Sequence, residues 1–116
     1  MKVRLFEQSI RVRLSQSEVA KLAATGQLSE TLSFAGGGTL EYAIESGPAL
    51  EASLQGSKLA ITLPADRALR WATDSEVAIS GVSGGVQISV EKDFQCLHGP
   101  ESENPDAFPN PARINH

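Results

Sequence analysis

Sulfur, imidazole and aromatic side chains are scarce in this 116-residue chain, and each shortage removes a class of chemistry. The single cysteine, Cys96, excludes an intrachain disulfide and favours a reducing, cytoplasmic setting. Two histidines, one of them the terminal His116, leave little for general acid–base work. Four Phe, one Tyr and one Trp cannot fill a core, so Val, Ile, Leu and Ala must do so. No stretch approaches the roughly 20 apolar residues a membrane helix requires. The start Met1-Lys2-Val3-Arg4-Leu5-Phe6 alternates charged and apolar residues and lacks the apolar run of a signal peptide. No dinucleotide fingerprint, Gly-x-Ser-x-Gly elbow or His-Glu-x-x-His pair occurs, and no cofactor is implied. A carboxylate-only mechanism stays open.

Charge is present but unevenly placed. The net charge of −4 argues mildly against nucleic acid as the default partner. Residues 1–14 run the other way, with Lys2, Arg4, Arg11 and Arg13 against the lone Glu7. A basic N-terminal segment therefore sits on an otherwise acidic protein.

Period-two alternation marks strands at residues 2–6 and 10–14, joined by a short turn around Glu7-Gln8-Ser9. Ser15 followed by Glu18 at the third helical position is a capping box, and Gly26 is a natural C-terminal stop, which predicts a helix over 16–25. Strands follow at 28–34 and 39–45 across Gly36-Gly37-Gly38, and at 49–55 and 58–63 across Gly56-Ser57. Pro64 opens a second helix carrying Ala68, Leu69, Trp71 and Ala72. The last hairpin is 76–80 with 86–91 around residues 81–85. Pro100, Pro105, Pro109 and Pro111 exclude helix and central strand beyond residue 98. The division expected is an α+β domain over 1–98 and an extended Pro-rich tail over 99–116, with Phe108 its one large apolar anchor.

Two stretches share one order of elements. Strand, helix, strand, strand occurs over about 10–45 and again over 59–91. Neither half could bury a sheet face alone, and together they make one core. The expected fold is a small, mainly antiparallel α+β domain, barrel-like or sandwich, built from two strand-helix-strand-strand pseudo-repeats with two short helices.

Residues 59–63, Pro64-Ala65, the second helix, Asp74-Ser75-Glu76-Val77 and residues 86–90 resemble the repeat unit of the AbrB-type swapped-hairpin transcription regulators. That resemblance implies a dimeric DNA binder working through basic residues. This half departs from it, since Lys58, Arg67, Arg70 and Lys92 face an excess of acids in Asp66, Asp74, Glu76, Glu91 and Asp93. The whole chain also resembles a small bacterial family of uncharacterised proteins, on residues 11–19, on Lys92-Asp93-Phe94-Gln95-Cys96-Leu97-His98 and on Phe108-Pro109-Asn110-Pro111. It implies a domain of unknown function and nothing further.

Four candidate sites follow from the residues. With the turn centred on Glu7-Gln8, Arg4 lies opposite Arg11 and Lys2 opposite Arg13, and like charges opposed on a sheet face destabilise it. The pattern calls either for an anionic ligand or partner, or for ion pairs to Glu41, Glu45 or Glu91, and the second is the commoner arrangement. Cys96 and His98 project to one side of an extended segment, as a nucleophile–base pair or two metal ligands would, but no third soft ligand lies near in sequence. A buried Cys beside an exposed His is the commoner outcome. Glu101, Glu103 and Asp106 lack calcium-loop spacing and read as a solvated tail. The glycine clusters lack the helix and Lys-Ser or Lys-Thr of a phosphate loop and read as hairpin turns. Trp71 reads as a core residue.

The favoured reading is a non-enzymatic binding or protein-interaction module that presents Lys2, Arg4, Arg11 and Arg13 to a protein or small anionic ligand. An uncovered sheet edge also invites homodimerisation. The alternatives are an AbrB-like DNA-binding regulator and a small metal- or cysteine-dependent enzyme centred on Cys96 and His98.

Overall fold

The computed structural model describes residues 1–94 and residue 108. Along the chain run β1 (Lys2–Phe6), β2 (Ser9–Leu14), α1 (Gln16–Thr25), β3 (Gln27–Ser33), β4 (Thr39–Gly47), β5 (Glu51–Gln55), β6 (Lys58–Pro64), α2 (Ala65–Thr73), β7 (Ala78–Ser83) and β8 (Val86–Lys92). They form two four-stranded sheets, ordered β1-β2-β8-β7 and β3-β4-β6-β5. Each sheet joins two antiparallel hairpins through a parallel central pair, β2 with β8 and β4 with β6.

The local causes are visible in the sequence. The Glu18 carboxylate accepts hydrogen bonds from the Ser15 backbone N–H (2.9 Å) and hydroxyl (3.0 Å), satisfying donors at the start of α1. Gly26 ends α1 in the left-handed region (φ 76°), its N–H donating to the Leu22 carbonyl. On the strands, alternate residues point inward: Ile10, Val12 and Leu14 from β2, Ile61 and Leu63 from β6, Ile88 and Val90 from β8. Val19 and Leu22 of α1 and Ala68 and Trp71 of α2 complete the same core, with the helices in contact with each other.

The duplication is more complete than the sequence pattern suggests. An offset of 49 carries Val3, Val12, Leu14, Val19 and Leu22 onto Ala52, Ile61, Leu63, Ala68 and Trp71, so β5 is the counterpart of β1. Offsets of 51 and 46 carry Leu28 onto Ile79 and Ile44 onto Val90, each pair at the same register step. The parallel pairs Val12↔Val90 and Ile61↔Ile44 exchange under this operation. The repeating unit is therefore hairpin–helix–hairpin, and each sheet takes one hairpin from each half.

Of the two architectures expected, the sandwich is the one observed: among the described residues both sheets keep open edges and no barrel closes. The parallel centre of each sheet is not legible in the sequence, because a period-two pattern reports burial but not the partner. Beyond the pseudo-repeats over 10–45 and 59–91, the likeness extends to β1 and β5. The last hairpin also differs. Residues 81–83 belong to β7, and the turn is Gly84-Gly85 alone, with φ of 55° and 80°. Gly81 serves packing instead, because a Cβ there would lie 2.6 Å from Leu50 Cδ2.

Phe108 packs against the core. Its N–H donates to the Asp93 carbonyl (2.7 Å) and its ring centroid lies 5.8 Å from that of Phe94. The rest of the segment 99–116 is outside the described residues.

Candidate functional site

The outer face of the β1-β2-β8-β7 sheet is built row by row. The turn Glu7-Gln8 sets the register Lys2↔Arg13, Arg4↔Arg11 and Phe6↔Ser9, and parallel pairing places Glu91 beside Arg13, Ser89 beside Arg11 and Gln87 beside Ser9. All four basic residues are therefore gathered on one face, in the two opposed pairs that the sequence predicts.

Part of this charge is neutralised within the chain. Glu91 lies 3.3 Å from Arg11 Nε and 3.5 Å from Arg13 Nε, and it accepts a hydrogen bond from the Ser89 hydroxyl at 2.8 Å. Lys2 Nζ lies 2.9 Å from an Asp93 carboxylate oxygen. Of the carboxylates proposed to balance the row, Glu91 does so, whereas Glu41 and Glu45 do not. Both stand on β4, in the other sheet, where Glu45 pairs with Lys58 at 2.9 Å. Their shared strand parity with Glu91 reflects the duplication, which maps Glu45 onto Glu91, and not a shared face.

Arg4 is the exception. Among the described residues it has no carboxylate within ion-pair distance, although it stands directly across from Arg11. Two shallow hollows, each of about 220 Å³, flank it: one lined by Lys2, Val3, Arg4, Arg11 and Arg13, the other by Arg4, Phe6, Ser9 and Arg11. A third, of about 300 Å³, lies at the start of α1 between Lys2, Arg13 and Glu18. There burial pushes the Glu18 carboxyl up. Hydrogen bonds from the N-terminal amine and from Ser15, together with the amine's charge, outweigh burial and hold it below the ordinary value of 4.5.

Two neighbours of this face were missed in the sequence. Asp93 is buried beside Lys2, and Lys92 is buried on the inner side. The Lys92 ammonium donates to the Asp74 carbonyl (2.7 Å) and lies 5.5 Å from the Trp71 ring centroid and 5.7 Å from that of Phe108. The signal for Lys92 was its parity, since Ile88, Val90 and Lys92 share the inward face of β8. Trp71 is fully buried, as expected of a core residue. Cys96, His98, Glu101, Glu103 and Asp106 lie outside the described residues. Among the described residues no cluster of three His, Cys, Asp or Glu side chains is placed to hold a metal, and no helix is long and apolar enough to cross a membrane.

A family model matches residues 1–112 and so nearly the whole chain. The chain belongs to the Family of unknown function (DUF7009). Membership agrees with the resemblance carried by residues 11–19 and 92–98. No curated protein and no solved structure matches the chain.

Proposed function

We propose that this protein is a non-enzymatic interaction module whose basic sheet face captures an anionic segment of a protein partner. The supporting observation is Arg4, a cation set against another cation with no carboxylate beside it among the described residues. A face shaped for stability alone has a simple remedy, and the other half of the molecule displays it: the counterpart of Arg4 is Ser53, and that of Arg11 is Ala60. Opposed like charges weaken a sheet, whereas an incoming carboxylate between them gains from both. The exposed position keeps each contact weak, so capture depends on several contacts at once and falls with salt.

The test is fluorescence anisotropy of a labelled octaglutamate peptide at low ionic strength, against wild-type protein and Arg4→Glu. Binding that weakens with added salt and is lost in the variant supports the reading. Equal binding by the variant, or tighter binding of a short DNA duplex than of the peptide, overturns it.

A further inference from the structure

We infer that the partner docks by adding a strand to β1, as an extended segment with acidic residues at every second position and apolar residues between them. This rests on the basic-face reading and specifies its ligand. Among the described residues β1 is an edge strand, hydrogen-bonded in its sheet to β2 alone.

Its free backbone groups follow from the hydrogen-bond ladder. The Gln87 N–H donates to the Gln8 carbonyl and the Asp93 N–H to the Leu14 carbonyl, each at 2.8 Å. The even-numbered residues of β2 therefore face β8, and Ser9, Arg11 and Arg13 face β1. Their partners Phe6, Arg4 and Lys2 satisfy their backbone groups on β2. Val3 and Leu5 are left with N–H and C=O groups directed outward, the template for strand addition.

The side chains along this edge define the ligand. Lys2 and Arg4 stand on the outer face, where acidic residues of an added strand would lie about 5 Å away. Val3 and Leu5 point to the opposite face, where Leu5 is 65% exposed, while Phe6, 67% exposed, shares the outer face with Lys2 and Arg4. A second copy of β1 is a poor occupant, because antiparallel pairing would set Arg4 against Lys2 or Arg4 of the copy. The edges β3 and β5 carry Glu30 and Glu51, and β7 carries no charge. β1 is thus the edge with cations to offer an acidic strand.

The experiment compares labelled peptides of alternating Glu and Val with a blocked-order peptide of the same composition, and with two N-methylated forms, one methylated at every Glu and one at every Val. In a strand the N–H groups of alternate residues lie on opposite edges, so only one edge can meet β1. The expected result is about tenfold tighter binding of the alternating peptide than of the blocked one, and loss of binding on one N-methylated form but not the other. Leu5→Pro, which removes an outward N–H and keeps every charge, should weaken binding by about tenfold while circular dichroism shows the fold intact. Equal binding of both N-methylated forms, with Arg4→Glu still abolishing it, would overturn strand addition and leave the basic-face reading standing. If Arg4→Glu has no effect, the basic-face reading itself fails.

Discussion

Replacing Glu7 by glycine should stabilise this protein. Glu7 is the one non-glycine residue with positive φ (51°) among the described residues, and it opens the two-residue turn between β1 and β2. A side chain in the left-handed region costs roughly 1–2 kcal/mol, because Cβ crowds the following carbonyl. Glycine relieves that strain but loses more backbone freedom on folding, by about 0.4–1 kcal/mol. The net gain expected is about 0.5–1 kcal/mol, which at about 4 °C per kcal/mol raises Tm by some 2–4 °C. The duplication supplies the control: an offset of 49 carries Glu7 onto Gly56, which has φ 57°. Gly56→Glu should lower Tm by a comparable or larger amount. Glu7→Gln, which removes the charge and keeps the strain, should stay within about 0.5 kcal/mol of wild type. Thermal melts followed by circular dichroism read all three. A Glu7→Gly protein no more stable than Glu7→Gln, or a Gly56→Glu protein as stable as wild type, would refute the reasoning.

Further outcomes follow from the same geometry. Arg4→Ser copies the residue found in the other half and removes a like-charge pair, so chemical denaturation should show a gain of about 0.2–1 kcal/mol together with weaker binding of anionic peptide. Gly81→Ala forces Leu50 to move and should destabilise by about 1 kcal/mol, with much of the loss recovered in the double variant with Leu50→Ala; additive losses would refute the contact. Glu18 has a lowered folded pKa, so its contribution is full above the unfolded value near 4.5 and is lost as pH falls through the folded value. Glu18→Gln should therefore lose less stability than wild type when urea melts are compared at pH 6 and pH 3.

The first hairpin and α1 were legible because local chemistry decides them. A two-residue turn fixes Arg4 opposite Arg11, and Ser15, Glu18 and Gly26 bracket the helix. What stayed hidden depended on partners distant in sequence. The kinship of β1 and β5 is masked by chemistry, since Lys2 corresponds to Glu51 and Arg4 to Ser53, so only the apolar counterparts such as Val3 and Ala52 carry it. Period-two alternation gives the face direction of Glu41, Glu45 and Glu91 but not the sheet each belongs to. Gly81 looks like a turn residue in a glycine-rich stretch, and only the approach of Leu50 explains it. The partners of Lys92 and Asp93 were not legible, because neither Trp71 nor Lys2 is near them in sequence.

The central claim is that the anionic partner meets the outer face and edge of the β1-β2 hairpin. A nitrogen-15 NMR titration with octaglutamate locates the contact directly. Perturbed amides should cluster at residues 2–6 and 9–13, with β3 to β6 unmoved. Perturbations centred on β3 to β6, or none at peptide concentrations that saturate the anisotropy signal, would contradict it.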